Sequence, residues 1–98
     1  MHAAWDLGPH TAVLSPGARA CGDNGMGPVR LIGNASAPVM WSINGTDEDC
    51  AFVGTVFSVS GQSVDQTFVP SPDLTLLEMC VTNTAQQTIT ASFELVQL

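Results

Sequence analysis

The stretch Thr88-Ile89-Thr90-Ala91-Ser92-Phe93-Glu94-Leu95 alternates without a break, with Ile89, Ala91, Phe93 and Leu95 on one side and Thr88, Thr90, Ser92 and Glu94 on the other. A period of two belongs to a pleated strand, whose successive side chains leave opposite faces. The segment therefore reads as an antiparallel strand with one core face and one wet face. The residues before it repeat the theme. Leu74 to Thr84 brings Leu77, Met79 and Val81 together, and Val64 to Val69 is a short strand stopped by Pro70-Ser71-Pro72-Asp73. Gly61-Gln62-Ser63 reads as a turn.

Ala51 to Ser60 is a longer run, with Val53, Thr55, Phe57 and Val59 on one face and Phe52 and Val56 on the other. Its two-sided character predicts a central strand covered on both faces or one meeting a neighbouring chain. Val39-Met40-Trp41-Ser42-Ile43 alternates into the turn signal Asn44-Gly45, and Val29 to Ile32 makes a further strand.

Residues 1–28 differ, being rich in Gly, Pro and Ala. Thr11-Ala12-Val13-Leu14 is a short strand there, and Cys21-Gly22-Asp23-Asn24-Gly25-Met26-Gly27-Pro28 reads as turns. Short strands separated by turn residues indicate an all-β fold: a single antiparallel β-sandwich, immunoglobulin-like or jelly-roll-like, of about seven strands. Residues 29–98 form its core, and residues 1–28 form a loop-rich N-terminal arm of the same domain. The antibody pattern itself fails, because Trp41 precedes Cys50 and no cysteine sits suitably before it.

Composition narrows the function. The chain has 98 residues with nine acidic and two basic side chains, a formal net charge of -7 that argues against nucleic acid as a partner. It is 45% hydrophobic and only 11% charged, which excludes a disordered acidic tail. No apolar run reaches the ~20 residues a bilayer requires. Met1 to Leu7 has no basic start and no long apolar stretch, so a cytoplasmic origin is expected over secretion.

Cys21, Cys50 and Cys80 are odd in number. They are expected to be reduced, with Cys50 to Cys80 the bridge to consider if one forms. Zinc spacing is missing and no cofactor is expected. The only histidines are His2 and His10, in the loosely patterned leader, and no nucleophile elbow, phosphate loop or dinucleotide fingerprint occurs, so the expectation is a protein that is not an enzyme. Asp47, Glu48 and Asp49, beside Asn44 and Thr46, are a calcium candidate weighed against a solvated hairpin. Two glycosylation sequons, Asn34-Ala35-Ser36 and Asn44-Gly45-Thr46, sit in expected turns.

The remaining surface suits contact. Trp5, Met40, Phe52, Val56, Val96 and Leu98 are interface candidates, and the absence of lysine removes a common guard of strand edges. The expected function is a structural assembly protein, such as a bacteriophage capsid decoration protein assembled in the host cytoplasm. Its partners would be copies of itself or a larger protein shell, with no membrane insertion. An extracellular or cell-surface module of pilus, adhesin or carbohydrate-binding type is the alternative, and a small acidic inhibitor that mimics nucleic acid is the third.

Overall fold

A computed structural model describes residues 10–47, 49 and 51–98, the side chain of Asp23 excepted. Trp5, Glu48 and Cys50 lie outside the described residues. The strands are β1 (His10–Leu14), β2 (Arg19–Gly25), β3 (Val29–Asp47), β4 (Phe52–Phe68), β5 (Leu74–Thr82) and β6 (Ile89–Gln97). All pairings are antiparallel, in the order β1-β6-β3-β5-β2 with β4 also on β3, and no helix occurs among the described residues.

Two strands bend and serve twice. The first half of β3 lies between β6 and the second half of β4, with Arg30 opposite Val96 and Thr67. Its second half lies between β5 and the first half of β4, with Trp41 opposite Val81 and Val59. Pairing to β4 lapses between Asn34 and Val39, across Ala35-Ser36-Ala37-Pro38. Pro38 has no N–H for a ladder, so the strand turns its direction there. The segments read separately from the sequence at 29–32 and 39–43 are thus parts of one strand. Gly61-Gln62-Ser63, read as a turn, is a bend within β4.

The core is the inward side of these alternations. Leu31, Trp41, Ile43, Leu77, Met79, Val81, Ile89, Ala91, Phe93 and Leu95 are buried. These include the inward sets expected at 39–43, 77–81 and 89–95. Phe57 and Phe68 stack at 5.5 Å, joining the two halves of β4 across the core margin. At the other margin the His10 ring tilts against Phe93 at 5.5 Å and lies over Gly22, so a side chain at Gly22 would meet the imidazole.

Three expectations need correction. The Gly-rich run at 21–25 is strand, not turn: β2 pairs with β5, and a register shift between Gly22 and Asn24 absorbs its irregularity. Residues 10–25 therefore contribute two sheet strands, although the segment was expected to be mostly loop. β4 is not a central strand. It pairs with β3 alone among the described strands, and register shifts around Val56 and Val53 break its alternation. Such irregularities twist an edge away from further pairing, a protection that does not need lysine. No helix among the described residues is long and apolar enough to cross a membrane.

Candidate functional site

The outward side of the β2-β5-β3-β4 array is ordered in cross-strand rows. One runs Arg19, Thr82, Met40, Ser60; the next Cys21, Cys80, Ser42, Ser58; the third Asn24, Glu78, Asn44, Thr55; the last Leu76, Thr46, Phe52. Directly opposed side chains on one face come within reach of each other. The second row carries a disulfide. Cys21 and Cys80 are bonded, with Cα atoms 4.1 Å apart. Cys80 is thus paired with Cys21, not with Cys50, and it is not reduced. The sequence does not disclose this pairing, because Cys21 sits in a run that reads as turn and its opposition to Cys80 depends on register.

Asn44 is buried beside the bridge although an outward position in an edge-rich array would normally be wet. Thr55 Oγ1 donates to Asn44 Oδ1 at 2.9 Å, which fixes the amide orientation. The amide nitrogen is thereby aimed at Cys80 Sγ, 3.2 Å away. A buried, committed amide is no glycan acceptor, so the sequon at Asn44 is not available in the folded chain. Beside this network a small pocket of about 110 Å³ is lined by Asn24, Asn44, Thr46, Phe52, Leu76 and Glu78.

The outward side of the other array is mixed, with Val13, Ile32 and Val96 set among polar side chains. A shallow groove of about 320 Å³ runs over Ile32, Asn34, Ser63, Ser92 and Glu94. Thr11 and Ser92 hydroxyls hydrogen-bond at 3.2 Å across β1 and β6. Arg30 donates twice to Asp65, through Nε and Nη2, both at 2.7 Å. This bond holds the Asp65 carboxyl below the usual aspartate range and raises the guanidinium further. Because the folded-state value of Asp65 is depressed, its contribution is present above the unfolded value and is lost as pH falls through the folded one. Wild type is therefore expected to lose more urea resistance than Asp65→Asn between neutral pH and the acid side of the aspartate range. Both groups are exposed, so the difference should be small and shrink with added salt.

The calcium candidate has another employment. Asp47 Oδ1 accepts from the backbone N–H of Asp49 and of Ala51, each at 2.9 Å, closing the hairpin between β3 and β4. That role accounts for an acid at 47 without an ion.

The interface candidates do not gather in one place. Val56 packs against the core and approaches the Gly45 and Leu74 positions. It is not an exposed contact residue. Met40 stands alone in the first outward row at 37% exposure, and Phe52, at 70%, stands with exposed Val53 at the start of β4. Val96 and Leu98 fall at another end. There Gln97 clamps the 26–28 turn, accepting from Met26 N at 2.8 Å and donating to the carbonyls of Met26 and Pro28. Val29 lies opposite both Gln97 and Phe68, so Met26, Val69 and Leu98 surround one strand end, 51%, 69% and 62% exposed. Met26 lies in the Gly-rich run that reads as turns, and Val69 ends the expected strand Val64 to Val69, so neither carries a periodic signal of exposure.

No family model matches the chain, and no curated protein matches it. Among solved structures it is similar to the Yersinia pseudotuberculosis-derived mitogen, with a TM-score of 0.66 and 10% identity over 96% of this chain and 87% of that one. It is also similar to PirA, with a TM-score of 0.61 and 13% identity over 88% of this chain and 91% of that one. At these identities the likeness concerns the fold, which is β-rich in each case.

Proposed function

We propose that this chain is a non-enzymatic β domain that works by protein contact, joining copies of itself or a larger protein shell, as a capsid decoration protein does. The observation that carries this reading is that Met26, Val69 and Leu98, each more than half exposed, all lie at the strand end where Val29 faces Gln97 and Phe68. Large exposed apolar side chains at one strand end, on a chain with so little charge, are the composition of a contact surface. We further propose that the two arrays sharing β3 and β4 face one another as a jelly-roll sandwich. Its support is the pairing order β1-β6-β3-β4 in one array and β2-β5-β3-β4 in the other.

A second reading, an extracellular or cell-surface module, is favoured by the Cys21–Cys80 bridge, since disulfides persist in oxidising surroundings. Virion surfaces share that condition, so the bridge does not separate the two.

The test is sedimentation of the wild-type chain and of Val69→Asp with Leu98→Asp. Self-association is expected for wild type, weakened at least tenfold by the paired carboxylates with melting temperature unchanged, because both side chains are exposed. If wild type stays monomeric at high micromolar concentration and binds no protein shell of its source, the assembly reading fails.

A further inference from the structure

We propose that Cys21, Cys80 and Glu78 form a redox-gated site for a borderline-soft divalent cation, with Zn²⁺ the metal that the donor set fits. The sulfur atoms of Cys21 and Cys80 and a carboxylate oxygen of Glu78 lie within 4.8 Å of one another, the one such group of acids, histidines and cysteines among the described residues. Two thiolates and a carboxylate are a Zn²⁺ donor set, and three protein ligands leave a fourth tetrahedral position for water.

Two features place this beyond a chance cluster. The ligands stand on adjacent paired strands: Cys21 opposite Cys80, and Glu78 two residues before Cys80 on the same outward face. Zinc–sulfur bonds set the two sulfurs about 3.8 Å apart, which directly opposed strand positions allow by side-chain rotation alone. The second feature is Asn44. Its amide N–H, fixed by Thr55, points at Cys80 Sγ from a buried position. A disulfide sulfur is a weak acceptor and gains little from that donor, whereas a thiolate is a strong one. Such a partner is the second shell that a metal-bound cysteine uses.

The oxidised chain closes the site, because both sulfurs are spent on each other. A dithiol reductant, itself oxidised to a disulfide, passes two electrons and two protons to the bridge and leaves two thiols. Zn²⁺ then displaces the two thiol protons to solvent and forms two Zn–S bonds and one Zn–O bond to Glu78. Metal retention thus reports the redox state of the surroundings, and acid releases the ion by returning the protons.

The experiment uses the full chain, reduced with a dithiol that is then removed without oxygen, and titrated with Zn²⁺ by calorimetry and with Co²⁺ by absorption. Expected are one equivalent bound below micromolar Kd, thiolate-to-cobalt charge-transfer absorption, and at least hundredfold weaker binding by the oxidised chain. Cys50→Ser should bind as wild type does, Glu78→Gln at least tenfold more weakly, and Cys21→Ser should lose the charge-transfer signal of a two-sulfur site. Zn²⁺ should also raise the melting temperature of the reduced chain and leave the oxidised chain unmoved. The proposal is overturned if reduced and oxidised chains bind alike or if affinity survives both Glu78→Gln and Cys21→Ser. It is overturned too if circular dichroism shows that the reduced chain has lost its strands at the titration temperature.

Discussion

Trp41→Ala is expected to leave the chain unfolded or close to it at room temperature, with about 4 kcal/mol lost in urea titrations followed by circular dichroism. Trp41 is the largest of the fully buried side chains, central on the inward face of β3 between Val59 and Val81. Truncation removes most of an indole from contact with the core and strands a cavity that rigid sheets collapse into poorly. It also removes the Nε1 donor from the Gly61 carbonyl, 3.0 Å away at the bend of β4. That bond ties the second half of β3 to the bend where β4 passes from one half of β3 to the other, adding about 1 kcal/mol. Against a typical total of about 5–15 kcal/mol for a domain, the sum is decisive.

The same ring explains Gly33. A Cβ built there would lie 2.6 Å from Trp41 Cζ3, well inside contact distance, so the indole occupies the space a side chain at 33 would need. Gly33→Ala alone should cost about 1–3 kcal/mol by overpacking. Combined with Trp41→Leu, which vacates that space, the alanine methyl should cost far less than it does alone. A cycle in which the two changes add would show that the two residues do not share one volume.

How much of this was legible follows from the physics of each signal. Strands with one wet face announce themselves, so the inward sets Val39-Trp41-Ile43, Leu77-Met79-Val81 and Ile89 to Leu95 could be read directly. Bends could not: Pro38 and Gly61 look the same whether a chain reverses or merely bends within one strand, and the difference lies in which distant segment pairs there. Val53 and Val56 were assigned opposite fates by strict alternation. The register shifts of β4 reversed that outcome by exposing Val53 and packing Val56 against the core. The candidate metal site was least legible, because it exists only through cross-strand opposition of Cys21 and Cys80 over a separation of 59 residues. Glycines around Cys21 hid even the strand that carries it.

Asn83 shows the same blindness in a single residue, since Asn83-Thr84-Ala85-Gln86 reads as an ordinary turn, yet the asparagine is 1% exposed. Its side-chain amide donates to the carbonyls of Leu14 at 2.9 Å and Gln87 at 2.8 Å, and its carbonyl accepts from Ala85 N at 2.8 Å. Its backbone joins Ala18 and Gly17 as well, so one residue fastens the β1–β2 turn to the β5–β6 connection. Asn83→Leu matches its bulk but leaves three backbone groups without partners, at about 1–3 kcal/mol each where water cannot reach. A loss of about 4 kcal/mol is expected, and a loss below about 1 kcal/mol would mean that water replaces the amide. Asn83→Asp separates bonding from shape. An ionised carboxylate would face two carbonyl oxygens in a buried place, so its folded-state pKa must lie above the unfolded one. Stability of this variant is therefore present at low pH, where the protonated acid donates to one carbonyl, and is lost as pH rises through the folded value. Wild type has no such group at 83, so the difference between the two urea midpoints should widen from acid to neutral pH. A difference that stays constant would place the residue 83 side chain in water and remove it from the fastening.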